Sequence, residues 1–224
     1  MAFLNALVTQ EFAPDALAAE VRTAVGKPLR RAAALTQLAL IGACACLTTE
    51  QRRLPTILLW QSTSGPRQET LALLDEVCLG GGEPMPYDFL ATQPALAAAQ
   101  IQPFLPGLQS AMHLPLDSAD SANWSLLLAL AGRWLDQGRC AKVLCAQLDH
   151  WSDAASGQWL ALGTLPLENT LARFQIGEVA GTASQPDTPD IPSRLSEWLT
   201  AGETPGFSLR SATNPRLAVE FARL

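Results

Sequence analysis

The chain has 224 residues, 48% of them hydrophobic and 16% charged, with a formal net charge of −6. That is apolar material for one generous domain, or for one domain and a small appendage. The acidic balance argues against a nucleic-acid partner, which would need a basic surface to meet phosphates.

In chain order, Phe3 to Val8 reads as an edge strand and Pro14 to Val25 as a short helix. Ala32 to Leu47 is a second, buried helix rich in small residues. It is too short for a membrane span and is interrupted by Thr36 and Gln37, so no integral membrane segment is expected. The opening MAFLNALVTQEF lacks the basic start and long apolar core of a signal peptide. Thr56 to Ser62 (TILLWQS) is a continuous apolar run and hence a buried strand. Arg67 to Cys78 reads as an amphipathic helix with Leu71, Leu74 and Val77 on one side, ended by Gly80, Gly81 and Gly82. No phosphate-binding helix pattern follows those glycines, so they form a turn and not a nucleotide loop. A helix from about Gln93 to Phe104 lies between prolines.

The stretch from Gly107 to Trp151 is the centre of the pattern. Leu108 to Leu114 is a strand, and a tight turn follows. A long apolar helix then runs to Gly138, and AKVLCAQLD is the next strand. Asp120 stands where the helix should begin, and its plainest role is an N-cap contributing about 1 kcal/mol. Trp124, Leu127, Leu128, Ala131 and Leu135 fall on one face, while Leu126, Ala129, Leu130 and Trp134 make the others apolar too. A helix apolar all round is covered on more than one side. Val143 and Cys145 share one face of the following strand by period-two counting. His150, with Asp149 and Trp151, ends that strand in a small polar network. Gln158 to Leu167 is a further strand, Ser184 to Pro192 is linker-like, Arg194 to Leu199 a helix and Leu217 to Phe221 a last strand. The five cysteines (Cys44, Cys46, Cys78, Cys140, Cys145) read as reduced core thiols of a cytoplasmic protein. With no CxxC pair and only His113 and His150, a metal site has little to build on, and no cofactor is expected. The fold class is therefore α/β, a central sheet with helices on its faces, two of them deeply buried.

Several runs in this order resemble the N-terminal half of a β-ketoacyl synthase of the thiolase-like superfamily. They are RRAAALTQLALIGA, the strand before STSGPRQETLALLDEV, MPYDFLATQPALAAAQI, and the strand, turn and buried helix closing on VLCAQLD. The nearest likeness is to the short chain-length factors of aryl polyene clusters, and it covers roughly Arg30 to Leu167. It implies a thiolase-like layered fold, N-terminal half only, with a mixed sheet over residues 1–183, and a linker and C-terminal extension over 184–224.

The departures from that family are informative. An active ketosynthase has a nucleophilic Cys at the start of the buried helix, its thiolate stabilised by the helix amides. Here the turn reads Ser118-Ala119-Asp120-Ser121-Ala122, so Asp120 occupies the nucleophile position. A carboxylate cannot carry a transferable thioester, and beside a developing enolate its charge disfavours decarboxylation as well. No His follows His150, so the family's two catalytic histidines have no counterpart, and no catalytic residue is expected.

What the resemblance implies instead is a non-catalytic partner of an active β-ketoacyl synthase, in aryl polyene, fatty-acid or polyketide-like biosynthesis served by an acyl carrier protein. Pairing would run across the strand Leu108 to Leu114. The helix region before it would wall off the partner's acyl tunnel and so limit acyl chain length. The matching gate and interface positions are Tyr87, Phe89, Leu90, Thr92, Gln93, Leu96 and Gln100, with Met112 and His113 on the strand. Two rivals stand beside this reading. One is a stand-alone acyl-thioester hydrolase or acyltransferase using Ser118 or Ser121 with His113, although no GxSxG elbow is present. The other is a structural homodimer steering acidic carrier protein through Arg22, Lys27, Arg30, Arg31, Arg52 and Arg53.

Overall fold

A computed structural model of the chain describes residues 2–80, 83–118, 122–178, 185–202, 204–212, 214 and 216–224. The strands are β1 (Ala2–Phe12), β2 (Thr56–Ser62), β3 (Leu108–Pro115), β4 (Lys142–His150), β5 (Ala155–Gly163), β6 (Ala172–Glu178), β7 (Gln185–Pro186), β8 (Gly206–Arg210) and β9 (Leu217–Ala222). The helices are α1 (Leu17–Val25), α2 (Ala34–Cys46), α3 (Arg67–Leu79), α4 (Pro86–Ala91), α5 (Ala97–Ile101), α6 (Trp124–Asp136) and α7 (Ile191–Ala201). The described strands form one sheet in the order β3-β2-β4-β5-β1-β6-β9-β8-β7, with β2 parallel to both β3 and β4, and antiparallel pairing from β4 through to β9.

The sheet separates two cores. On one face α1, α2 and α5 pack over Leu58, Trp60, Leu144, Ala146, Leu148, Trp159 and Ala161. On the other, α6 and α7 pack over Ile57, Leu59, Val143, Cys145, Leu160, Leu162, Phe174, Val219 and Phe221. Successive strand residues point to opposite faces, so β2 and β4, covered on both, carry unbroken apolar runs through their centres, Ile57 to Trp60 and Val143 to Ala146. The expected pairing of Val143 with Cys145 on one face holds.

The two apolar helices lie on opposite faces of the sheet. Among the described residues, no side chain of its own turn caps either start. The Ala34 N–H at the head of α2 donates to Glu69 Oε1 of α3 at 2.8 Å. At the other end of α2, Arg52 donates to the Leu47 and Cys44 carbonyls at 3.2 and 3.1 Å. Gly42 lets α2 close on β5: a Cβ there would stand 1.8 Å from Cε2 of Trp159, a side chain with no exposed surface.

Several sequence expectations change here. β1 is not an edge strand, because β5 and β6 both pair with it. The helix expected over Gln93 to Phe104 is a 3-10 turn, Pro94–Leu96, followed by the short α5, with α4 before it. β5 begins and ends earlier than Gln158 to Leu167. Cys78 is exposed, unlike the buried Cys46, Cys140 and Cys145, while burial pushes the Cys46 thiol up to about 12.

The largest difference concerns 184–224, read as linker and extension. Its described residues supply β7, α7, β8 and β9 to the same sheet, and Ile191, Leu195, Trp198, Phe207, Leu209, Val219 and Phe221 to the α6 core. Each of its apolar segments is short and bounded by polar residues, so the sequence pattern understates what they bury together. No helix among the described residues is long and apolar enough to cross a membrane.

Candidate functional site: an open crossover face beside an edge strand

β2 and β3 are parallel neighbours, so the chain between them must cross over, and α3, α4 and α5 form that crossover. Its last part is anchored in the core: Ala97 and Ile101 of α5 are buried in the α2 core. Helix α3 buries no residue along its length. Leu71 is 47% exposed, Leu74 50% and Val77 56%, and on α4 Phe89 is 58% and Leu90 46% exposed. The crossover ends in β3, which closes one side of the sheet with its outer edge unpaired by any described strand. Met112 of β3 is 45% exposed. The apolar stripe expected on α3 therefore exists but faces outward. An exposed apolar stripe along a helix marks a candidate place of association, and a bare strand edge is a template for pairing.

The other gate positions have local tasks. The Arg31 guanidinium stacks 4.7 Å from the Tyr87 ring centroid, and Gln100 Nε2 donates to the Arg31 carbonyl at 3.3 Å. Both therefore hold the bend before α2, where Arg31 itself adopts a left-handed φ of 58°. Thr92 donates its hydroxyl to the Phe89 carbonyl at 2.8 Å, and Gln93 Nε2 donates to Thr92 Oγ1 at 3.1 Å, closing the end of α4. Leu96 is half-buried beside β3. Of the basic residues suggested for carrier protein, Arg52 is engaged on α2 and Arg31 on Tyr87.

The C-terminal ends of the parallel strands carry a polar cluster. Asp149 Oδ1 accepts the Thr63 and Ser64 N–H groups, each at 2.7 Å, and Ser64 Oγ accepts the His150 N–H at 2.9 Å. This network is built on the STSG turn, and His150 joins it through its backbone N–H, while its buried Nδ1 has no hydrogen-bond partner among the described residues. Gln61, buried in β2, bonds to the half-buried Gln147 of β4 at 3.0 Å, and Gln61 Oε1 accepts the Asn123 N–H at 2.9 Å. At the head of α6 the Trp124 N–H donates to Asp187 Oδ1 at 3.1 Å. The Ser125 N–H and hydroxyl donate to Oδ2 at 2.9 and 2.6 Å. Asp120 and Ser121 lie outside the described residues. At the Trp124 and Ser125 amides the acceptor is a carboxylate more than sixty residues further on. Burial pushes the Asp187 carboxyl above its ordinary value, against the pull of those hydrogen bonds.

No protein-family model matches the sequence, and no curated protein matches it. Solved structures do. A chain of the ketosynthase in complex with its chain length factor from Xenorhabdus doucetiae superposes with a TM-score of 0.58 at 13% identity, over 99% of this chain and 99% of that one. The ishigamide ketosynthase/chain length factor gives 0.63 at 11% identity, over 100% of this chain and 99% of that one.

The fold is that of the thiolase-like ketosynthases. The structural likeness also takes in the C-terminal segment that lies outside the sequence resemblance. In this chain the amides of Trp124 and Ser125 at the head of the buried helix are already engaged by Asp187, which leaves neither free to stabilise a developing oxyanion. The His113 ring packs 4.4 Å from that of Trp60, and its buried Nε2 has no hydrogen-bond partner among the described residues.

Burial lowers the His113 pKa below its ordinary 6.5, against the opposing charge of Asp149. The folded chain therefore binds this proton less readily than the unfolded one. Stability should rise as pH climbs through the window between the lowered value and 6.5, and fall on the way down. Urea unfolding at pH 5 and pH 7.5 should show a smaller difference for His113→Phe than for the parent chain. An equal difference would remove His113 from the account.

Sequence reasoning missed Asp187 and Glu69, which carry no local signal. Gln61 and Gln147 could have been found, as lone amides inside the otherwise apolar runs TILLWQS and VLCAQL.

Proposed function

We propose that this chain is a non-catalytic, ketosynthase-like chain-length factor. It pairs with an active β-ketoacyl synthase through the open crossover face and the edge of β3, and it limits the length of the acyl chain. The pathway would be of the aryl polyene, fatty-acid or polyketide kind, cytoplasmic, with intermediates delivered on an acyl carrier protein. The observation that carries this reading is a thirteen-residue helix, α3, that buries none of its residues while presenting Leu71, Leu74 and Val77. A helix gains most of its stability by packing an apolar face, so α3 has the composition of an interface element. The neighbouring β3 edge offers backbone pairing for the same partner. Two further observations support a subunit without chemistry of its own: the carboxylate at the nucleophile position, Asp120, and the engaged amides at the head of α6.

Co-expression with an active ketosynthase from a neighbouring gene tests the pairing. A stable complex is expected, and a chain that remains alone, or pairs only with itself, would overturn it. The gate is tested on the complex. Phe89→Ala or Leu96→Ala should lengthen or broaden the product distribution, because the wall loses most of a large side chain. An unchanged product spectrum would remove both residues from the gate.

A further inference from the structure

The crossover carries a charge pattern beside its apolar one. Between Arg67 and Ala91 stand five carboxylates, Glu69, Asp75, Glu76, Glu83 and Asp88, against one basic residue, so a net −4 of the chain's −6 lies in this stretch. Asp75 and Glu76 are exposed on α3 beside Leu74 and Val77, and Glu83 is exposed in the link to α4. Arg31, stacked on Tyr87, brings one further positive charge to α4 and leaves the face acidic. The neighbouring β3 carries no charged residue from Leu108 to Pro115. Between α3 and α4 lies a groove of about 290 Å³, lined by Glu69, Glu76 and Asp88 together with Ala72, Leu73 and Ala91. Carboxylates beside apolar groups match a long basic side chain, whose stem packs on hydrocarbon while its charged head meets an anion.

We propose that this charge selects the partner: the crossover face accepts an apolar surface bearing Arg or Lys, and it rejects a second copy of this chain. The inference rests on the pairing proposed above and adds the chemistry of the surface that the ketosynthase must present there. A two-fold pair places the same patch against itself, so self-pairing across β3 would set one acidic crossover against another. Like charges brought together cost affinity and slow encounter, whereas opposite charges steer it. The bare β3 edge, which any strand could extend, is thereby protected from its own copies by the crossover beside it. An acidic carrier protein meets the same repulsion.

The test neutralises the three exposed carboxylates, combining Asp75→Asn, Glu76→Gln and Glu83→Gln, and leaves Glu69, which holds the Ala34 N–H, in place. The control removes equal charge elsewhere through Asp153→Asn, Glu168→Gln and Glu197→Gln, all exposed and outside the crossover. Sedimentation of the isolated chains at low salt should show the crossover variant self-associating at least about tenfold more tightly than the parent, with the control close to the parent. With the purified ketosynthase, the parent should associate at least about tenfold faster at low salt than at high salt, and the crossover variant should lose most of that dependence. Pairing at one rate whatever the salt, a crossover variant that self-associates no better than the parent, or a control that matches it would each overturn the selection. If the parent does not pair with the ketosynthase at all, the pairing reading falls and the basic partner with it. The self-association measurement then still decides whether charge keeps a second copy away.

Discussion

Leu74→Arg should abolish or severely weaken pairing with a ketosynthase while leaving the isolated chain as stable as before. Leu74 is half exposed and α3 has no buried residue, so the folded chain loses little when the side chain changes. Surface substitutions of this kind usually stay within about 0.5 kcal/mol. In a complex the same position would lie among apolar groups excluded from water. A guanidinium buried there without a partner costs several kcal/mol, and loss of a single central side chain at such an interface commonly costs about 2 kcal/mol or more. Affinity should therefore drop by a factor of roughly thirty or more, since about 1.4 kcal/mol corresponds to tenfold. Sedimentation of the co-expressed pair measures it. Leu165→Arg is the control, at a position 72% exposed but between β5 and β6, away from the crossover. Equal affinity for parent and Leu74→Arg would show that α3 does not form the interface.

Gly42→Ala should strongly destabilise the chain, against the usual trend. In an exposed helix interior the exchange gains about 1 kcal/mol, because Ala gives up less conformational freedom than Gly. Here the new methyl carbon would stand 1.8 Å from Cε2 and 2.1 Å from Nε1 of Trp159. The ring has nowhere to go, since on its far side a Cβ at Gly157 would already be 2.0 Å from Cη2. Helix α2 must therefore lift from β5 or the indole must leave its place, and overpacking of a dense core costs about 1–3 kcal/mol or more. The steric term outweighs the propensity gain, and urea unfolding should show the net loss. Trp159→Phe in the same chain should recover part of it, because a smaller ring admits the methyl group. A double variant as unstable as the sum of the two single changes would show that the two residues are not in conflict.

These two positions show how unevenly the molecule can be read from its sequence. β2 was legible to the residue, Thr56 to Ser62, because a strand covered on both faces has an unbroken apolar centre, here ILLW, and is bounded by turn residues. The Leu71, Leu74 and Val77 stripe was legible too, yet its direction was not. Periodicity says that a helix has an apolar side, but a core and a partner's surface leave the same pattern. Gly42 carried no signal at all, since its meaning lies in a tryptophan more than a hundred residues away. Among the gate positions, Phe89, Leu90 and Met112 do lie on open surface, whereas Tyr87 and Gln100 are turned to Arg31.

The sequence by itself determined the alternation of strands and helices through the centre of the chain and the two deeply apolar helices. Those properties are local: each follows from the chemistry or spacing of residues within one turn or one strand. The tertiary structure decided which faces are covered, that the C-terminal segment completes the sheet, and that Asp187 and Glu69 reach back to the heads of α6 and α2. A hydrogen bond between distant residues leaves no periodic trace, because the chain between them is free to have any composition that lets the two ends meet.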